Sequence, residues 1–391
     1  MHFRVHFSAL ILWGVIVTAR IDLLQAADAA IGEATLHIYA GETGAYSIPR
    51  NLTGKFCEHL GANIYNGMDA QILRNPTFAD YPFGTGQMSP DGIVTFHFER
   101  EKIENELRRQ AARYGWPDAD TGELISARND GLACFWGRTG ESNGVVASPD
   151  TGPYGGRAQR LELKAGAGIK QWIWLPLHRT RKYEVELLAR SPELRAVRLS
   201  LTRLNSSEVS ANAKLDGVSG DWHSVSGTLE VSEGAPEDEP YCVTLSTSSP
   251  GQLIIGHLFL RSADHISGAD PDVIRYLREA RLPLLRWPGG NFVSAYHWED
   301  GVGPVERRLT RPNYAWGGVE PNTFGTDEFV AFCRAVGCEP MICVNAGNGT
   351  PEEAAHWVEY CNGKATTPVG SRRAANGHSE PFNIRHWEVW K

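Results

Sequence analysis

Between residues 160 and 262, apolar and polar positions alternate in short runs at 160–163, 170–174, 182–188, 196–204, 223–231, 241–245 and 253–260. Clusters of Gly, Pro, Asn, Asp and Ser separate the runs at the spacing of a β-sandwich, so an all-β region is predicted there. From residue 265 the period lengthens. Asp270-Pro271 suits the cap and first position of a helix with Val273, Tyr276 and Leu277 on one face. An apolar strand is predicted over 282–286, a helix over 326–336 closed by Gly337, and a buried strand over 340–345. Thr350-Pro351-Glu352-Glu353 joins an N-cap, a first-turn proline and a capping-box glutamate, opening a third helix that stops at Gly363. A last strand is predicted at 386–391. Helix and strand alternating at this pitch imply βαβ units in a parallel sheet. Residues 98–114 fit a helix with Glu and Arg on its solvent side, and 52–61 form one more short apolar segment.

With 42% hydrophobic and 21% charged residues, the 391-residue chain has the composition of folded protein rather than of a disordered one. Its net charge of −8 leaves no basic excess to hold nucleic acid or anionic lipid. Residues 1–29 read as an export signal: His2, Arg4 and His6 precede an apolar run over 7–19, and Ala27-Asp28-Ala29 offers a cleavage site. That run falls short of the roughly 20 residues of a membrane span, the alternative being an uncleaved anchor. A secreted or periplasmic protein without stable membrane association is therefore expected. Seven cysteines, an odd number without scaffold rhythm, read as buried apolar side chains, and the spacing of Cys333, Cys338 and Cys343 matches no zinc pattern. No metal or other cofactor is expected. The chain stops inside its last predicted strand, which reads as truncation, since a buried strand needs neighbours on both sides.

In a βα barrel, residues at the carboxyl ends of strands face a shared site. Read that way, the strand ends deliver Glu58, Arg286, and Asn345 with Gly347. Arg286-Trp287-Pro288-Gly289-Gly290-Asn291-Phe292 forces a tight turn whose backbone can approach a ligand, with Arg286 offering fork donors and Asn291 both donor and acceptor. Such groups suit a polyhydroxylated ligand. Equally, Arg286 could pair with Glu58 to brace the barrel mouth. Trp287, Trp298 and Trp316, like Trp172, Trp174 and Trp222, suit either sugar stacking or core filling. The Asn105-Glu106 dipeptide lies in the charged helical stretch and reads as surface.

Several longer motifs carry a specific resemblance. Gly54-Lys-Phe-Cys-Glu-His-Leu-Gly61, Leu285-Arg-Trp-Pro-Gly-Gly-Asn-Phe-Val293, Trp298-Glu-Asp-Gly-Val-Gly-Pro-Val-Glu306, Glu320-Pro-Asn-Thr-Phe-Gly-Thr-Asp-Glu-Phe329, Ile342-Cys-Val-Asn345 and Gly349-Thr-Pro-Glu-Glu-Ala354 resemble the α-L-arabinofuranosidases of glycoside hydrolase family 51. Gln71-Ile-Leu-Arg-Asn-Pro-Thr-Phe78 resembles the subgroup with a carbohydrate-binding-like sandwich between the first and second barrel strands.

The resemblance implies a (β/α)8 TIM barrel of which about four strands are present: an N-terminal segment with the first barrel strand at 30–80, the inserted β-sandwich at 81–262, and βα units two to four at 263–391. It implies exo-acting, retaining removal of terminal α-L-arabinofuranosyl groups from arabinan or arabinoxylan, with substrate contacts from Glu58, Arg286, Asn291, Trp316 and Asn345. A homo-oligomer is compatible with it. Retention needs two carboxyl groups about 5–5.5 Å apart, an acid/base and a nucleophile. In the family the first follows strand four in a Gly-Asn-Glu motif and the second follows strand seven, so both are expected beyond Lys391; Glu388, inside the strand, is not promoted. These 391 residues alone are then expected to be inactive. Two alternatives are another retaining glycosidase of the same barrel clan and a non-catalytic carbohydrate-binding protein using the sandwich.

Overall fold

The computed structural model describes residues 46–82, 87–88, 94–95, 100–141, 143–204, 206 and 208–390. The export signal expected at 1–29 lies outside them, as does the beginning of the 30–80 segment. Arg50–Lys391 is one compact unit and Met1–Pro49 a second, of which residues 46–49 are described.

Two five-stranded antiparallel sheets build the all-β region. One runs in the order Val209–Asp216, Ala196–Arg203, Tyr241–Ser246, Gly168–Ile173, Gly137–Thr139, and the other His223–Glu230, Lys182–Arg190, Gly251–Ser262, Gly155–Leu163, Val145–Gly152. Strand alternation turns one set of side chains inward, and Leu199, Leu201, Val243 and Leu245 of the first sheet share a core with Tyr183, Leu187, Leu258 and Leu260 of the second. The Gln71–Phe78 motif straps this sandwich to the rest of the chain. Its Gln71 carbonyl-side amide oxygen accepts from Leu260 N (3.0 Å), buried Gln171 bonds both the amide and the carbonyl of Arg74 (2.7 and 3.0 Å), and Phe78 stacks on Trp136 at 4.9 Å.

Helix α1 (Arg100–Arg113) occupies the predicted charged stretch, and Glu106 pairs there with Arg109 at 2.7 Å. Helix α2 (Asp118–Asn129) and the strands Gly137–Thr139, Val145–Gly152 and Val209–Asp216 were not legible in the pattern.

The second layer is a four-stranded parallel sheet in sequential order: Lys55–Phe56, Leu284–Trp287, Glu339–Asn345, His386–Trp390. Helix α3 (Pro271–Glu279) opens under Asp270, whose side chain accepts from Asp272 N and Val273 N at 2.8 and 3.3 Å. Its buried face centres on Ile274, not on Tyr276, which is 59% exposed. At 3.6 residues per turn, position 276 lies about 200° round the helix from 274, which turns it to solvent. Helix α4 spans Thr326–Val336 and closes at Gly337 with φ 83°, as its glycine signals. Helix α5 (Pro351–Asn362) starts under Thr350, whose hydroxyl accepts from Glu353 N at 3.1 Å. Helix α6 (Pro368–Ala375) was not predicted. Trp287, Trp298, Phe329, Trp357 and Tyr360 fill the core between sheet and helices.

In that core Asp327 accepts from Tyr360 Oη with both oxygens, at 3.0 and 2.9 Å. Burial, reinforced by neighbouring Glu328, pushes its carboxyl up to about 6. The unfolded chain therefore ionises first, and stability is lost as pH rises from about 4 to about 6. Asp327→Asn keeps an acceptor for Tyr360 and removes this penalty. Relative to the parent it should gain about 2–3 kcal/mol between pH 4 and pH 7 in paired urea titrations, whereas parallel pH profiles would refute the assignment.

Candidate active site at the carboxyl edge of the parallel sheet

The loops leaving the parallel strands are tied together at their carboxyl ends. Ala346 N donates to the Trp390 carbonyl (2.8 Å), and Asn348 N donates to that of Ser294 (3.2 Å). Glu58, two residues past the first strand, is buried, and its Oε1 accepts from Gly290 N and Phe292 N, each at 2.9 Å. Gly289 sits at φ 142°, and a Cβ there would overlap the Glu58 side chain. The Pro-Gly-Gly turn is thus glycine-rich because it wraps a carboxylate. Asn291 follows at the start of the short helical turn Asn291–Ala295, exposed and without a side-chain hydrogen bond among the described residues.

Arg286 does not pair with Glu58. Its Nε donates to Glu388 on the fourth strand and its Nη2 to Cys343 Sγ at 3.4 Å, while its guanidinium lies 5.1 Å from the Phe56 ring centre and 5.0 Å from that of Trp390. Burial works against the arginine's charge, but Glu388 and Cys343 together outweigh it and raise the pKa. The register explains the partner: Arg286 pairs with Met341 and Met341 with His386, so residue 388 is two positions along on the same face.

Asn345 ends the third strand, but its amide is saturated by its own loops. Nδ2 donates to the Tyr296 carbonyl (3.2 Å) and Asn348 Oδ1 (2.8 Å), and Oδ1 accepts from Gly347 N (2.9 Å) and Asn348 N (3.2 Å). With both protons and both lone pairs engaged, nothing is left for a ligand. Trp316, 37% exposed, stands on the wall of a cavity of about 320 Å³ with Leu60, Gly61 and residues of α1. Glu58 is absent from that wall, although its neighbour His59 belongs to it. The structure therefore groups Glu58 with the Gly290–Asn291 turn and Trp390, and sets Trp316 on an adjoining cavity.

Sequence reasoning passed over the network beneath this edge. His59 Nδ1 bonds Glu320 Oε2, and His59 Nε2 accepts from Trp287 Nε1 at 2.8 Å. An indole nitrogen only donates, so Nε2 is the acceptor and the ring proton sits on Nδ1, pointing at Glu320. Glu320 Oε1 accepts from Tyr65 Oη and from Asn322 N (2.9 Å), and burial together with Glu320 holds the Tyr65 hydroxyl well above the ordinary tyrosine range. The His59 ring stacks on Phe292 at 4.4 Å, whose amide serves Glu58. His59 is adjacent to Glu58, yet its partners lie 228 and 261 residues away, and no local spacing announces them.

Residues 276–390 match the family described as Alpha-L-arabinofuranosidase 1 domain. The chain is 45% identical over 150 residues to a probable α-L-arabinofuranosidase C of Aspergillus niger, covering 37% of this chain and 30% of that protein. It is 41% identical over 143 residues to an intracellular exo-α-L-arabinofuranosidase of Bacteroides ovatus, covering 36% and 28%. A solved arabinose-bound MgGH51 α-L-arabinofuranosidase shares the fold over 90% of this chain and 55% of its own, with a TM-score of 0.65 at 18% identity. The matched stretch thus spans about 30% of the length of the Aspergillus niger relative.

Proposed function

We propose that this chain, whose residues 276–390 match the Alpha-L-arabinofuranosidase 1 domain, works in an exo-acting retaining hydrolase of glycoside hydrolase family 51 that removes terminal α-L-arabinofuranosyl groups from plant polysaccharide. The observation that carries the reading is the turn around Glu58. It places one buried carboxylate and one open carboxamide, Asn291, at the carboxyl edge of a parallel sheet, where α/β folds bind ligands.

In this reading the four parallel strands open a (β/α)8 barrel and the sandwich is inserted after the first of them. Glu58 and Asn291 bond sugar hydroxyls, Arg286 fixes the strand ends around them, Trp316 walls the neighbouring cavity, and Asn345 holds the loop that backs the site. The reaction is carried by two carboxyl groups and requires no metal. Neither catalytic glutamate that the resemblance implies is assigned to a residue of this chain. Residues 1–29 direct the protein out of the cytoplasm, a fate opposite to that named for the Bacteroides ovatus relative.

Proton NMR of an aryl α-L-arabinofuranoside incubated with the intact protein tests the reading. The α-anomer of arabinose should appear first, with aryl xyloside and glucoside untouched. An initial β-anomer, or no hydrolysis, would overturn it. Turnover by the isolated 391-residue polypeptide would overturn the assignment of both catalytic groups.

A further inference from the structure

A second cavity, of about 450 Å³, lies on the far side of Arg74, Arg113 and Tyr114 from the one beside Trp316, and these three residues line both. Its outer end carries Trp174, which follows the strand Gly168–Ile173 and is 47% exposed although Ile173 and Leu175 on either side are buried. Each of the two adjoining cavities therefore presents one tryptophan to solvent.

The wall between them is rigid. The Arg74 guanidinium lies 4.0 Å from the Tyr114 ring centre and 4.5 Å from that of Phe135, and its backbone is clamped by Gln171. Trp174 packs against the turn that follows α1. Its indole nitrogen and Pro240 occupy the space a side chain at Gly115 would need, and Gly115 turns at φ 80° just after α1. Exposed aromatic rings fixed in this way offer flat apolar faces at little entropic cost.

Around them the acidic side chain of Asp270 is paired, and arginine N–H groups remain to donate to hydroxyls. Arg179 is neutralised by Asp264 and Asp270, and His178 faces Asp272. Arg113 is exposed, stacks 5.7 Å from Tyr114, and has no carboxylate partner among the described residues. Two residues on the same wall, Gln71 and Ser262, are over nine-tenths buried, and each holds a polar atom (Nε2 and Oγ) without a hydrogen-bond partner among the described residues. Buried polar atoms are normally paired, and a hydroxylated ligand with its retained water supplies such partners.

We infer that the two cavities form one track from Trp316 to Trp174, and that its Trp174 end is a remote binding site for the neutral polysaccharide chain that carries the arabinofuranosyl groups. The inference rests on the proposed activity for the identity of the polymer, but the site itself is read by binding.

The intact protein is run by native electrophoresis through gels containing soluble arabinoxylan or linear arabinan, beside assays on each polymer and on an aryl α-L-arabinofuranoside. The parent protein should be retarded by at least one polymer, the one retarding it naming the main chain recognised. Trp174→Ala and Arg113→Ala should each weaken retardation and kcat/KM on that polymer by about 5-fold or more, the worth of one lost stacking contact, with Trp174→Phe restoring much of it. Turnover of the aryl substrate should stay within about 2-fold in Trp174→Ala, which lines only the remote cavity, while Arg113→Ala is read by retardation because Arg113 also lines the cavity beside Trp316. Arg113 is a solvent-facing helical position where alanine is well tolerated, so that variant reads binding even where Trp174→Ala disturbs packing. Retardation absent in the parent, or unchanged in both alanine variants, overturns the inference. Retardation lost in the variants by a protein that hydrolyses nothing upholds the site and refutes the hydrolase reading instead.

Discussion

Replacing Glu320 by glutamine is expected to cost the fold about 2–4 kcal/mol, although the change removes no atom from the core. The carboxylate accepts three bonds, from His59 Nδ1, Tyr65 Oη and Asn322 N. A glutamine oxygen placed at Oε1 still serves Tyr65 and Asn322, but its NH2 then meets His59 Nδ1–H, donor against donor. If His59 shifts its proton to Nε2 to relieve that contact, the new N–H meets the Trp287 indole N–H, again donor against donor. The chain from Trp287 through His59 to Glu320 is directional, and only a group that accepts at both oxygens completes it. Two facing buried donors are therefore left without an acceptor in either tautomer. Glu320→Ala orphans all three donors and should cost about 3–9 kcal/mol, a large part of the stability of an ordinary domain. Urea unfolding of the parent and both variants measures this, and nitrogen NMR of His59 reports the tautomer. A loss below about 1 kcal/mol in Glu320→Gln, or a proton found on Nε2 in the parent, would sink the directional argument.

How far this arrangement could be read in advance depends on whether its signals are local. The ends of α3, α4 and α5 were legible because Asp270, Gly337 and Thr350 act on backbone groups within a few residues of themselves. Strand Lys182–Arg190 was legible because Tyr183, Val185 and Leu187 alternate with Glu184 and Glu186. Strand Val209–Asp216 was not: its inward residues before Leu215 are Ala211 and Ala213, too small to mark a period against Ser, Asn and Lys. Helix α2 hides similarly, with Gly122 and Thr121 in its first turns and few large apolar side chains. At the site, the glycine pair and Glu58 were legible separately, but the bonds joining them span 232 and 234 residues. The pairing of Arg286 with Glu388 needed the register of three strands, which only the folded sheet supplies.

Glu58 brings these threads together, and its two substitutions should separate holding from binding. Glu58→Ala deletes the acceptor for Gly290 N and Phe292 N and leaves both amides buried, at a cost of about 2–5 kcal/mol. The turn loses what it is wrapped around, Asn291 is no longer presented at a fixed height, and hydrolysis by the intact protein should fall below detection. Glu58→Gln behaves differently. Its amide oxygen, kept at Oε1, still accepts both bonds, and losing the charge assistance costs about 1 kcal/mol. Oε2, which has no hydrogen-bond partner among the described residues, becomes an NH2 that donates where the carboxylate accepted. A sugar hydroxyl that donates to Glu58 loses its acceptor, so kcat/KM should drop by about 10²-fold while unfolding stays nearly that of the parent. Had Glu58 served only to shape the turn, the glutamine variant would keep both stability and activity. Had it served only the sugar, the alanine variant would lose activity and keep its stability. On the proposed function the two variants diverge in stability and agree in lost activity, because one oxygen is spent on the backbone and the other is open to a sugar hydroxyl.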